Sequence, residues 1–129
     1  MREIMVPVSP GELIDKITIL RLKAERIADA GKLAHVRHEL SVLEAAAEGV
    51  PRRVIAAMEV ELQEINAALW DIEDAIREAD ARDDFGPEFV RLAQAVYRTN
   101  DLRADVKKRI NMALGSAIVE EKSYARHGG

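Results

Sequence analysis

The sequence predicts an all-α fold: an antiparallel bundle of about four helices, with a long hairpin of the third and fourth and a short extended arm ahead of the first. Three observations carry this reading. Apolar residues recur at alternating spacings of three and four along most of the chain. Helix start and stop signals punctuate that pattern. Aromatic residues make up only 4% of the 129 residues beside a hydrophobic fraction of 48%, a balance that suits alanine- and leucine-rich helix packing. The length fits one domain, 1–129, with residues 1–8 as the arm and 115–129 as a tail, and no internal repeat or linker divides it.

Taken in order, Ile4, Val6 and Val8 alternate around Pro7, which reads as a short edge strand or extended arm. Ser9-Pro10-Gly11-Glu12 is a helix start with a capping serine, proline at the first helical position and a glutamate placed for a capping box. The first helix runs to about Ala28, with Leu13, Ile17, Leu20, Ala24 and Ile27 on one stripe, and Asp29-Ala30-Gly31 stops it. A second helix, Lys32 to Ala47, carries Leu33, Val36, Leu40, Leu43 and Ala47; Gly49 supplies a left-handed stop and Pro51 reopens the chain. In the third helix Ile55, Met58, Leu62, Ile65, Leu69, Ile72, Ile76 and Ala79 form a coiled-coil-like seam. Asp83-Asp84-Phe85-Gly86-Pro87 turns the hairpin. The fourth helix, Pro87 to Leu114, faces Phe89, Ala93, Val96, Val106, Ile110 and Ala113 inward. Beyond Gly115-Ser116, residues 117–124 read as either a strand or a last helical turn.

Composition removes several classes of function. The absence of cysteine excludes disulfides, thiolate metal sites and cysteine nucleophiles. A net charge of −4 disfavours nucleic acid as a partner. No apolar run approaches the roughly 18 residues needed to span a bilayer, and the opening residues are too short for a signal-peptide core. A cytoplasmic protein that engages no membrane is the expectation.

The irregular feature lies in the fourth helix. Asn100, Arg103, Lys107 and Asn111 share one face and interrupt the apolar stripe, with Tyr97 beside the upper end. In the third helix Asn66, Trp70, Glu73 and Arg77 flank the seam. In an antiparallel hairpin, level residues have numbers adding to about 170, which sets Glu73 by Tyr97, Trp70 by Asn100 and Asn66 near Arg103. Asp15, Lys16 or Thr18 of the first helix can add to the same level. The candidate ligand-binding residues are therefore Asn66, Trp70, Glu73, Tyr97, Asn100, Arg103 and Lys107. Arg103 and Lys107 suit a phosphate or carboxylate. The structural alternative is that Arg103 pairs with Glu73 to fix helix register.

Other constellations are weaker. Asp71 and Asp74, with Glu61 and Glu64, resemble the acidic helix of magnesium-dependent nucleotide pyrophosphohydrolases, but no second helix offers matching carboxylates, and a solvated acidic face explains them. His35 and His38 are two ligands at most, short of a metal site. Residues 98–109 hold five basic and two acidic side chains, and Asp105 with Arg109 is spaced for an ion pair rather than a nucleic-acid patch. No metal or cofactor is expected.

The segments Val6 to Leu20, Asn66 to Asp74, Tyr97 to Arg103 and Val119 to Tyr124 resemble a family of small bacterial proteins known only as a domain of unknown function. That resemblance implies a bacterial origin and no activity. A looser similarity, to the helical chorismate mutases, is one of physical principle, since their catalytic pattern does not map onto these residues. The expected function is a dimeric binding or interaction module with a polar patch suited to a small anionic ligand or a partner protein. The alternative is an enzyme acting on an anionic metabolite there, with Glu73 as general base and Arg103 and Lys107 as electrostatic clamps. The homodimer is expected because the third and fourth helices outrun the first two, leaving apolar seam to be covered by a second copy or by the arm and tail.

Overall fold

The computed structural model describes residues 2–118 and 121–123. Four helices follow one another: α1 Pro10–Arg26, α2 Ala30–Ala46, α3 Ala56–Ala81 and α4 Pro87–Ala113. Among the described residues there is no strand, so the fold is the all-α bundle expected. At 1.5 Å per residue the 26 and 27 residues of α3 and α4 span about 40 Å, and the 17 of α1 and of α2 about 25 Å.

The helix ends follow local chemistry. Ser9 caps α1, its Oγ accepting from the Glu12 N–H at 3.2 Å, but the Glu12 carboxylate completes no capping box and reaches Lys107 instead. The chain turns extended at Ile27, and α2 begins at Ala30, so Gly31 lies in its first turn rather than in a stop. Gly49 has no left-handed backbone. Among the described residues the left-handed positions are Asp83, φ 53°, and Gly115, φ 65°. Each closes a Schellman motif: Asp84 N–H donates to the Ala79 carbonyl at 2.9 Å, and Ser116 N–H donates to the Asn111 carbonyl at 2.9 Å.

α1 is the centre of the molecule. It packs against all three other helices, while α2 approaches only α1 at close backbone range. Ile14, Ile17, Ile55, Leu62, Val106 and Ile110 are fully enclosed, with Leu40, Leu43, Met58, Ile65 and Leu114 against them. The seam of α3 is as expected, but α4 is rotated slightly from the expected stripe. Ala93 and Ala113 are exposed, and Leu92 and Leu114 turn inward in their stead. A strict seven-residue repeat drifts around a straight helix, and here the true 3.6-residue period wins.

The hairpin register is as expected: Arg109 of α4 donates to Glu61 of α3 at 2.7 Å. Arm residues 2–8 are exposed and irregular, and the described residues 117, 118 and 121–123 of the tail are irregular too. Lys108–Glu121 and Lys122–Asp101 pairs, at 3.3 and 3.5 Å, run the tail back along α4. Val119, Glu120 and Tyr124 lie outside the described residues.

Candidate functional site

The polar stripe of α4 meets the start of α1, and the two form a ladder in the core. At its lower end Gly11 N–H donates to Asn111 Oδ1 at 2.7 Å. Gly11 is required by contact: a Cβ there would collide with the Lys107 carbonyl oxygen. One turn on, Lys107 Nζ sits 2.6 Å from Glu12 Oε2. Next comes Asp15, with 0% exposure, which accepts from Arg103 Nε at 2.8 Å and from Arg103 Nη2. Asn66 of α3 closes the group, its Nδ2 donating to Asp15 Oδ1 and to Thr18 Oγ1, both at 2.9 Å. Thr18 in turn donates to the Asp15 carbonyl at 2.7 Å. Three helices are thereby fastened by hydrogen bonds between side chains that an apolar seam would not hold in one alignment.

This overturns one expectation. Arg103 does pair with a carboxylate, but the partner is Asp15 of α1 and not Glu73, which is exposed. The reason is geometric: α1 lies over the hairpin at this level and brings its own acid to the guanidinium. Asp15 and Thr18 belonged to the first helix's possible contribution; Gly11, Glu12 and Asn111 as ladder partners were not anticipated. The signal available was the polar spacing of Gly11, Asp15 and Thr18 on one face of α1, opposite to that of Arg103, Lys107 and Asn111.

Beside the ladder lies a cavity of about 360 Å³ between α1, α3 and α4. Ile19, Leu22, Leu69 and Trp70 form its apolar wall, and Lys23, Arg77, Arg103, Glu73, Asp74 and Asn66 supply its polar groups. Of the seven candidate residues, Asn66, Trp70, Glu73 and Arg103 thus come together. Tyr97, Asn100 and Lys107 do not line this cavity; Lys107 lines a smaller one on the tail side of α4, and Tyr97 is exposed with Arg98 over its ring at 5.8 Å. Arg26 lies over the Trp70 ring at 5.5 Å and donates to Asp71 at 2.7 Å, so the tryptophan is held from one side by a stacked cation. Lys23, Arg77, Glu73 and Asp74 have no ion-pair partner among the described residues.

A second charged group ties the other end of the bundle. Arg52, in the α2–α3 connection, donates to Glu59 at 2.8 and 2.9 Å and to Glu44 at 2.9 Å, and Arg21 of α1 donates to the same two carboxylates. The Arg52 hydrogen bonds, more than the other contacts, hold both carboxyls below their ordinary range, and Arg52 itself keeps its proton more firmly than usual. Two further acidic residues of α3 are engaged: Asp71 with Arg26 and Glu61 with Arg109. His35 and His38 are exposed on α2, and among the described residues no three metal-binding side chains cluster.

The fold and this site define a four-helix bundle whose core carries a hydrogen-bonded polar ladder beside a small cavity of mixed charge. Over residues 4–127 the chain matches a family described as a family of unknown function, DUF6165, and it belongs to that family. No curated protein and no solved structure matches it. Among the described residues no helix is long and apolar enough to cross a membrane.

Proposed function

We propose that this chain is a binding module for a small amphoteric molecule, one with an apolar body, an acidic group and a basic group, seated in the cavity against Trp70. The observation that carries the reading is the cavity's lining: an apolar wall together with two cations, Lys23 and Arg77, and two carboxylates, Glu73 and Asp74. The volume of about 360 Å³ lies within the range of small-molecule sites. Arg103 and Lys107 do not call for a simple anion, because Asp15 and Glu12 meet their charges. Lys23 and Arg77 support an acidic group on the ligand, and Glu73 and Asp74 support a basic group. Arg103 lines the same cavity with its guanidinium held by Asp15.

A thermal-shift panel of amino acids, their deaminated acids and their amides tests this. A ligand at a hundredfold excess over Kd stabilises the fold by about 2.7 kcal/mol, a Tm rise on the order of 10 °C. The expected result is a rise with an amphoteric compound that either neutralised analogue largely loses, and that Arg77→Gln and Lys23→Gln diminish. Equal shifts with the simple acid would remove Glu73 and Asp74 from the site, and no shift with any member would remove the site. Conversion of the bound compound, abolished by Glu73→Gln, would move the assignment to the enzymatic alternative.

A further inference from the structure

The two halves of the hairpin differ in how they are covered. Below Arg103, α4 buries Val106, Lys107, Ile110 and Asn111 beneath α1; above it, not one residue of α4 is fully buried. In α3 beyond Leu69 only Ala79 is buried. Ile72 and Ile76 of α3 and Phe89, Leu92 and Val96 of α4 are all partly open to solvent. Beside them Val90, Ala93 and Tyr97, at offsets of zero, three and seven, form an exposed apolar stripe on one face of α4. Only the last turns of α1 approach this level, where Arg26 pairs with Asp71 and Lys23 shares the cavity with Arg77; α1 and α2 are each about 15 Å shorter than the hairpin. The described tail extends along α4 as far as the Asp101 pair.

We infer that this distal face is the docking surface for a second copy of the chain, two hairpins packing about a two-fold axis into a four-helix layer. Three considerations select a second copy. A two-helix pair buries its seam on one side only, and a two-fold mate presents a seam of the same length and width. Charge favours a particular arrangement: residues 71–84 hold seven carboxylates and two arginines, whereas residues 87–98 hold one carboxylate and two arginines. Setting α3 of one copy on α4 of the other brings unlike fields together and keeps the two acidic helices apart. Surface area agrees. The chain exposes 8979 Å² where a compact monomer of 14.3 kDa exposes about 6,800 Å². The arm adds exposed Ile4, Met5 and Val6 to that area, and the distal hairpin adds Phe85, Val90 and Tyr97.

Light scattering on the full chain, from sub-micromolar to tens of micromolar, tests the inference alongside the variant Val90→Asp/Ala93→Asp. Both substituted positions are exposed and outside the cavity, so the variant's helix content by circular dichroism should match the parent's. The expected result is a parent mass of twice 14.3 kDa at the upper concentrations and a folded monomer for the variant. A parent that stays monomeric throughout overturns the proposal, and so does a variant that dimerises as tightly as the parent, since the contact then lies elsewhere. Screening of the charge contribution adds a second readout: the dimer should weaken between low and high salt, and an association strengthened by salt would contradict the α3-on-α4 pairing.

Discussion

At the scale of single residues, a fully enclosed carboxylate must have its charge answered by protein groups, because water cannot do so. For Asp15 those groups are the Arg103 guanidinium and the Asn66 amide. Removing the arginine would leave the carboxylate stranded, so Arg103→Leu is expected to destabilise the fold by about 3–5 kcal/mol. A double-mutant cycle of Arg103→Leu with Asp15→Asn should return a coupling energy above about 1 kcal/mol, and the same cycle with Glu73→Gln should return none. Coupling to Glu73 in place of Asp15, measured by chemical denaturation, would contradict the arrangement. That Arg103 stands inside the bundle was legible from the break in α4's apolar spacing. Which acid it meets was not, because the pairing is 88 residues apart in sequence and depends on how α1 crosses the hairpin. Trp70 with Asn66 was legible for the opposite reason: both lie on one helix, where spacing alone fixes the face.

At the scale of elements, α1, α2 and α3 are tied by Arg21 and Arg52 to Glu44 and Glu59. Both carboxyls are held below their ordinary value of 4.5 in the folded chain, chiefly by the Arg52 hydrogen bonds. A lowered folded value means that the stabilisation is fully present above pH 4.5 and is lost as pH falls through the lower folded values. Arg52→Gln should therefore flatten the fall of Tm with acid below that point, and little should change between pH 6 and 8. A variant with the same acid slope as the parent would show that the network contributes nothing to the pH dependence. Helix extents read well from sequence because periodicity is local, as the seam from Ile55 to Ala79 illustrates. The stops read less well: Gly49 looked like a left-handed position and is not one, while Asp83 is, because hydrogen bonding to the Ala79 and Asp80 carbonyls fixes the turn there.

At the scale of the whole molecule, α1 acts as a wedge that is polar on the face it turns to α4 and apolar toward the remaining core. One end of the bundle is closed by that wedge, and the other extends as a bare hairpin. The cavity sits at the boundary, near the end of α1, where Lys23, Trp70 and Arg77 all line it. Sequence showed the length mismatch that creates this boundary, but not the cavity, since Lys23 and Leu22 enter it only through the crossing of α1. Trp70 is the single tryptophan of the chain and lines that cavity, so its emission reports on the site without labels. The direct measurement is a fluorescence titration with the amphoteric compounds of the thermal panel. A saturable change in Trp70 emission, matched to the Tm rise and weakened at least tenfold by Arg77→Gln, is the predicted result. A compound that raises Tm while leaving Trp70 emission unchanged, or that binds Arg77→Gln as tightly as the parent, would place the ligand elsewhere and contradict the account.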